Sequence, residues 1–291
     1  REGGAVRILI TGANGMLGRA LAERLASGHT LFLWGRDEAD LSDEAAVREA
    51  ARGIEFDAIV HAAAFTEVDR CESEYELALR GNRDAVRYVA LLARDRGAHF
   101  VTVSTDYVFD GTKGEPYVED DPTAPVNAYG RSKLEGEKAA LSSGAAALVV
   151  RTSWLFGPGG KNFVENIAGK LERGEALEVV DDQLGSPTYT RHLAHGIARL
   201  LGRGATGIVH VTNSGQTTWY GFAVAIARYL GSATPIAPIS SDRIRRPAPR
   251  PAYSVLSGER YAGLAGERMP RWEDALHHYL AGRSAAPGAA A

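Results

Sequence analysis

Val6-Arg-Ile-Leu-Ile-Thr-Gly-Ala-Asn-Gly-Met-Leu-Gly18 decides the fold. Its first half is a continuous apolar run of the kind buried on both faces of a parallel sheet. Its second half spaces glycines as G-x-x-G-x-x-G and opens a helix whose apolar positions include Leu17, Leu21 and Leu25. A strand that turns through glycines straight into a helix is the layout of a dinucleotide-binding turn. Gly12 permits the tight turn, Gly15 lets the backbone approach a pyrophosphate, and Gly18 permits close packing of helix on strand. The phosphates then sit at a helix N-terminus. The spacing is not G-x-G-x-x-G, so an ordinary glycine-rich turn is the competing reading.

Further along, strand-like runs at 6–11, 30–34, 57–63, 99–104 and 146–152 alternate with amphipathic stretches. That alternation predicts an α/β fold, a doubly wound parallel sheet of Rossmann type. Ligands gather at the carboxyl ends of such strands. Here those ends are Gly12 onward, Gly35-Arg36, Ala62-Ala63-Ala64, Ser104-Thr105 and Thr152-Ser153-Trp154. Beyond 155 the pattern is mixed, with helices near 161–173, 189–202 and 216–230, a strand at 207–212 and a proline-rich stretch at 235–251. The expected organisation is a dinucleotide-binding domain at 5–155 with a later contribution from about 188–215. A smaller, mainly C-terminal substrate-binding region is expected at 156–187 and 216–281, and a disordered tail at 282–291, which lacks large apolar residues.

Tyr129 and Lys133 stand four apart in Asn127-Ala-Tyr-Gly-Arg-Ser-Lys133. If 127–143 is helical, the two share a face, and a phenol and an ammonium act on one substrate atom. A free tyrosine, with a pKa of about 10, is a poor proton donor or acceptor at neutral pH, and a nearby cation lowers that pKa. Such tuning matters in a site that moves protons.

Composition agrees with an enzyme. The 291 residues are 45% hydrophobic with net charge -3, which argues against disorder and against a basic nucleic-acid surface; no DNA or RNA partner is expected. The single cysteine, Cys71, excludes a disulfide framework and a Cys-rich zinc site and is taken as a bystander. No apolar run approaches the roughly 20 residues of a membrane span, and the first residues are not a signal peptide. A cytoplasmic location is the expectation, with no membrane partner.

Five ordered segments resemble the extended short-chain dehydrogenase/reductases. They are Thr11-Gly-Ala-Asn-Gly-Met-Leu-Gly18, His61-Ala-Ala-Ala-Phe-Thr-Glu-Val-Asp69, Ser104-Thr-Asp-Tyr-Val-Phe-Asp-Gly111, Tyr129-Gly-Arg-Ser-Lys133 and Arg151-Thr-Ser-Trp-Leu-Phe-Gly157. More narrowly, with Asp182-Gln-Leu-Gly-Ser-Pro-Thr188 and Arg250-Pro-Ala-Tyr-Ser254, they resemble the dTDP-4-dehydrorhamnose reductase family over roughly 6–280. The resemblance implies reduction of the C4 ketone of dTDP-4-dehydro-L-rhamnose to dTDP-L-rhamnose by a reduced nicotinamide cofactor.

Its catalytic residues map onto Thr105, Tyr129 and Lys133: Tyr129 gives the proton, Thr105 bonds the same oxygen or the phenol, and Lys133 lowers the phenol pKa and holds the nicotinamide ribose. Cofactor contacts fall on Gly12, Asn14, Gly15, Met16 and Leu17, on Arg36, on Asp40 and Leu41 beside the adenine, on Ala62, Ala63 and Ala64 beneath the cofactor, and on Tyr129 and Lys133. Arg36 at the end of the second strand suits a 2′-phosphate, so NADPH is the expected cofactor and NADH the alternative. Substrate contacts fall on Val68, Thr105, Asp106, Tyr129 and Trp154, with Arg250 a candidate for the diphosphate.

Some members dimerise around magnesium held by glutamates. The sequence does not show which residues would be those ligands, and Met16 replaces a glutamine often found inside the glycine turn, so no required metal is expected and a homodimer is left open. His61 reads as a satisfied structural histidine, and His277-His278 lacks a third metal partner. Alternatives are a reductase of another dTDP-4-keto-6-deoxysugar of the dihydrostreptose type, a nucleotide-sugar epimerase or dehydratase that retains NAD, and a non-catalytic subunit resembling the β subunit of methionine adenosyltransferase.

Overall fold

The computed structural model describes residues 5–284. Its first half alternates strand and helix: β1 (Arg7–Thr11), α1 (Met16–Leu25), β2 (Thr30–Trp34), α2 (Glu44–Ala50) and β3 (Ala58–His61). Two short helices, α3 (Arg70–Ser73) and α4 (Tyr75–Leu79), lead through a π-helical turn at Arg80–Asp84 into α5 (Ala85–Arg96). Then come β4 (His99–Thr105), a 3₁₀ turn at Asp106–Val108, α6 (Ala128–Leu141) and β5 (Ala146–Thr152). The second half contains β6 (Leu155–Phe156), α7 (Phe163–Glu172), β7 (Leu177–Val180), β8 (Leu184–Gly185), β9 (Thr188–Tyr189), α8 (Thr190–Gly202) and β10 (Gly207–His210). It ends with β11 (Thr217–Thr218), α9 (Trp219–Leu230), β12 (Ile236–Ile239), α10 (Glu259–Ala265) and α11 (Trp272–Ser284).

Six strands form one parallel sheet in the order β10-β5-β4-β3-β1-β2. The chain winds one way from β1 to β2 and the other way from β3 onward, so the switch point lies between β1 and β3. In open sheets of this kind ligands bind at the switch point, outside the carboxyl ends of the strands. The apolar runs are uninterrupted because both faces are covered: Ile8, Ile10, Val60, Val101, Leu148 and Val150 pack toward α1 and α8. Leu9, Ile59, Phe100 and Val149 pack toward α2 and α5.

α8 and β10 return the chain to the sheet, α8 lying on α1 and β10 beside β5. α10 lies within the stretch expected to cover the substrate. Instead, Tyr261, Ala265 and Met269 join the core beneath α8 and β10. A separate apolar cluster, built on Phe156, Ile167, Phe222, Ile226 and Leu276, holds α7, α9 and α11 together in the region expected to cover the substrate. Residues 282–284, expected to begin a disordered tail, continue α11, and 285–291 lie outside the described residues. No helix among the described residues is long and apolar enough to cross a membrane.

Candidate active site

The glycine turn is tighter than its spacing alone requires. Gly12 has φ +70°, and a Cβ placed on it would lie 2.6 Å from Ala63 N. A Cβ on Gly18 would lie 2.1 Å from Gly12 O, so the first turn of α1 rests directly on the turn backbone. Gly15 caps α1 without a side-chain acceptor, and the first helical turn carries no acidic residue. Its N–H groups are therefore left for an outside anion. An uncapped helix end beside two crowded glycines fits the pyrophosphate of a dinucleotide.

Asn14 and Gly15 are exposed, while the Leu17 side chain is buried in the sheet core. Leu17 thus offers a cofactor its amide and not its side chain. Met16 touches the cover: Asn162 Nδ2 lies 3.8 Å from its sulfur. Arg36 is exposed and has no hydrogen bond or ion pair among the described residues. Asp40 accepts the N–H and O–H of Ser42 at 2.9 and 2.7 Å, and Leu41 packs half-buried beside the α2 core. Ala62, Ala63 and Ala64 form the extended segment beyond β3, against the glycine turn.

The proposed proton-handling residues converge from two elements. Asn127 caps α6 by accepting Gly130 N–H at 2.8 Å, and its amide donates to Pro249 O at 2.8 Å. This fixes the turn that carries Tyr129, whose ring meets Tyr107 edge-on at 5.9 Å. Thr105 ends β4, accepts Tyr107 N–H at 3.2 Å and donates to Asp106 Oδ1 at 2.9 Å. Lys133 is buried and donates to Val103 O at 2.7 Å.

Burial decides the electrostatics here. It raises the Tyr129 phenol well above its ordinary value, Asp106 adding to the shift and the Thr105 hydroxyl opposing it. The four-residue spacing from Lys133 predicts a lowered value. The ammonium instead is drawn down to about 8 by its own burial, with Glu137 opposing, and spends its hydrogen bond on a carbonyl. The result is a phenol firmly protonated at neutral pH. Asp106 is pushed up to about 7 by burial, against bonds from Ser254 and Thr105, and its Oδ2 has no partner. A buried carboxyl oxygen without a partner is rare in a folded chain and has room for an outside donor.

Val68 lies half-buried on the loop after β3. Trp154 adopts φ +48°, a conformation that costs a non-glycine residue about 1–3 kcal/mol, and its ring stacks on Trp219 at 3.5 Å. Arg250, expected near a diphosphate, forks onto Asp69, with Nη2 donating to Oδ2 at 3.0 Å, and its side chain is only 10% exposed. That pair straps the proline-rich segment to the start of α3 and leaves little guanidinium for a ligand.

His61 is only partly satisfied. Its Nδ1 lies 2.8 Å from Thr11 Oγ1, its Nε2 has no partner, and burial followed by Lys133 draws it down to about 3. It is a neutral structural histidine. Cys71 is buried and its thiol is raised to about 11, chiefly by burial. His278 meets His192 at 3.2 Å, and among the described residues no group of three or more metal-ligating side chains is placed to hold an ion.

Two participants escaped the sequence reading. Asn82 sits buried in the π-helical turn; its Oδ1 accepts Phe65 N–H, and its Nδ2 donates to Phe65 O and Ser132 Oγ, each at 2.9 Å. It ties the loop beyond Ala64 to the residue before Lys133. The signal was Arg80-Gly-Asn82, two poor helix formers inside a helical run. Trp219, the platform under Trp154, lies at a helix start with only its aromatic character to recommend it.

The family model for the RmlD substrate binding domain matches residues 6–284. A dTDP-4-dehydrorhamnose reductase of Burkholderia thailandensis is 41% identical, covering 93% of this chain and 97% of that protein. The chain belongs to the dTDP-4-dehydrorhamnose reductase family. A relative from Streptomyces antibioticus, named a probable dTDP-4,6-dihydroxy-2-methyloxan-3-one 4-ketoreductase, is 43% identical over 93% of each chain. Within the family's solved structures, a Bacillus anthracis dTDP-4-dehydrorhamnose reductase in complex with NADP superposes with TM-score 0.92 at 36% identity, covering 96% of this chain and 99% of that one.

Proposed function

We propose that this chain is a nucleotide-sugar ketoreductase that uses NADPH to reduce the C4 ketone of dTDP-4-dehydro-L-rhamnose, giving dTDP-L-rhamnose. The observation that carries the reading is the placement of Thr105 at the carboxyl end of β4 against a protonated Tyr129, with Lys133 one turn further along α6, in a sheet whose β1 ends in an uncapped glycine turn.

When bound, the reduced nicotinamide supplies a hydride to the carbonyl carbon. The side chains handle the charge that this leaves on oxygen, which is best met by donors already in place. Tyr129 gives its O–H proton to that oxygen. Thr105 hydrogen-bonds the same oxygen or the phenol, and the Lys133 ammonium stabilises the phenolate left behind. Asp106 takes a sugar hydroxyl on its free oxygen, while Val68 and Trp154 border the sugar. Amides from Gly12 to Leu17, with Asn14, Gly15 and Met16, receive the pyrophosphate. Asp40 and Leu41 border the adenine, Ala62 to Ala64 form the floor, and Lys133 and Tyr129 also meet the nicotinamide ribose.

The free guanidinium of Arg36 is assigned to the 2′-phosphate. Arg36→Ala is expected to weaken NADPH by about tenfold or more and NADH little, because only the former presents that group. Parallel fluorescence titrations read the difference; equal losses for both cofactors make Arg36 a bystander.

The site also has a pH signature. Lys133 is charged below about 8 and loses its proton above it, since its pKa is depressed. Turnover that needs the ammonium is full below that pH and falls as pH rises through it. A kcat/KM profile flat to pH 10 in a protein that stays folded, with about 8 as the expected break, contradicts the role given to Lys133.

The Streptomyces antibioticus relative favours a second reading, a reductase of another dTDP-4-keto-6-deoxysugar. Ranking kcat/KM for several such ketosugars decides between them: the rhamnose precursor leads on the first reading and trails on the second. On either reading the partner is a dTDP-sugar and the enzyme is cytoplasmic, with NADH a weaker donor and a homodimer to be tested by light scattering.

A further inference from the structure

Helix α6 carries a buried ion that the reduction does not use. Glu137 stands four residues after Lys133 and eight after Tyr129, on the same helical face. Its carboxylate accepts a fork from Arg151, Nε to Oε1 at 2.9 Å and Nη2 to Oε2 at 2.7 Å, and both side chains are only 2% exposed. Arg151 pairs across the sheet with Ser104, the residue before Thr105. Its Nη1 donates to Glu119 O at 3.4 Å and lies 3.5 Å from His210 Nε2, and its guanidinium covers the Phe109 ring at 5.0 Å. The pair therefore fastens the helix carrying the phenol and ammonium to the strand beside Thr105.

Buried pairs of this kind are weak sources of net stability, because desolvating two charges offsets their attraction. The placement fits a different role. Lys133 gives its hydrogen bond to a neutral carbonyl, and the carboxylate whose field favours its charge is Glu137. We propose that Glu137 is a positioning residue for this site: held by Arg151, it anchors α6 to the sheet and serves as the counter-charge of Lys133. The inference rests on the reading of Lys133 as part of the reducing site.

Other ionisable groups packed about α6 have their own partners or are held neutral. Asp106, after β4, bonds Thr105; His61 on β3 and His210 on β10 are kept neutral chiefly by burial. Glu119 accepts His210 N–H and faces Arg260. Glu72 on α3 caps Ala128 and faces Arg131, and Arg83 and Asp84 of the π-helical turn pair with each other. Tyr129 stays protonated. Glu137 is itself paired with Arg151, yet among the described residues it is the carboxylate one helical turn after Lys133 on α6, and its charge favours the ammonium.

The test uses the full chain in three variants. Glu137→Gln leaves Arg151 buried without its partner. Glu137→Gln/Arg151→Met removes both charges while keeping an apolar filler, and Glu137→Asp keeps the charge but draws it back by one methylene. NMR of ¹³Cε-labelled lysines, assigned with Lys133→Arg, reads the Lys133 titration without substrate or cofactor, and the alkaline limb of kcat/KM is read in parallel. In folded Glu137→Gln both midpoints are expected to fall together by about one pH unit or more; in the double variant, which also removes the opposing charge of Arg151, and in Glu137→Asp they fall by less. A merely structural role would lower stability or kcat and leave the midpoint in place. An unchanged Lys133 midpoint in the folded variants, Glu137→Asp included, overturns the proposal. Absence of reductase turnover in the unaltered chain counts against the functional reading alone, since the NMR titration needs no turnover.

Discussion

Tyr129→Phe is expected to lower kcat by about 10² or more while leaving NADPH affinity within about twofold. The phenyl ring preserves the edge-on contact with Tyr107 and the capped start of α6, so the loss isolates the hydroxyl. That hydroxyl is the proposed proton donor, hydrogen-bonded with Thr105, and burial keeps it protonated. Another nearby acid is Asp106, half-ionised at about pH 7 and already bonded to Thr105. Single-turnover kinetics separate the effect on chemistry from that on binding. Near-native kcat in the variant would move the proton donor elsewhere, with Asp106 the first candidate.

Gly12→Ala is expected to abolish useful cofactor binding and to lower thermal stability. Two costs combine at this position: a φ of +70°, which a side chain rarely adopts, and a Cβ only 2.6 Å from the Ala63 amide. The neighbouring atoms are backbone, so the turn itself must shift. A shift that forfeits about 3 kcal/mol of phosphate contacts weakens NADPH by about 10²-fold. Fluorescence titration with NADPH, beside a melting curve without it, measures both. Wild-type affinity in the variant would mean that phosphates bind elsewhere than the glycine turn.

Much of this fold is written locally. β1, β3, β4 and β5 are apolar on both faces, and the first glycine turn joins strand to helix without a gap. Such features need no knowledge of partners. The same holds for the strand-end placement of Thr105 and for the helical spacing of Tyr129 and Lys133.

What stayed hidden depends on residues distant in sequence. Arg250 looks like a free loop cation until Asp69, 181 positions away, is brought against it. α10 has a legible apolar pair in Tyr261 and Ala265, with Met269 just beyond it, but nothing local says that these residues meet the sheet core. The ionisation of the site was misjudged for the same reason. A lysine four residues from a tyrosine suggests a lowered phenol pKa, whereas burial of both groups raises the phenol and lowers the ammonium. Desolvation is a property of the surroundings and has no short motif.

The most direct test of the central claim follows NADPH oxidation at its absorbance band with enzymatically generated dTDP-4-dehydro-L-rhamnose as acceptor, while chromatography identifies the sugar formed. The account predicts substrate-dependent oxidation, one NADPH consumed per dTDP-L-rhamnose made, and loss of both signals in Tyr129→Phe. No oxidation with this sugar or with other dTDP-4-keto-6-deoxysugars, beside an active control enzyme, would contradict it.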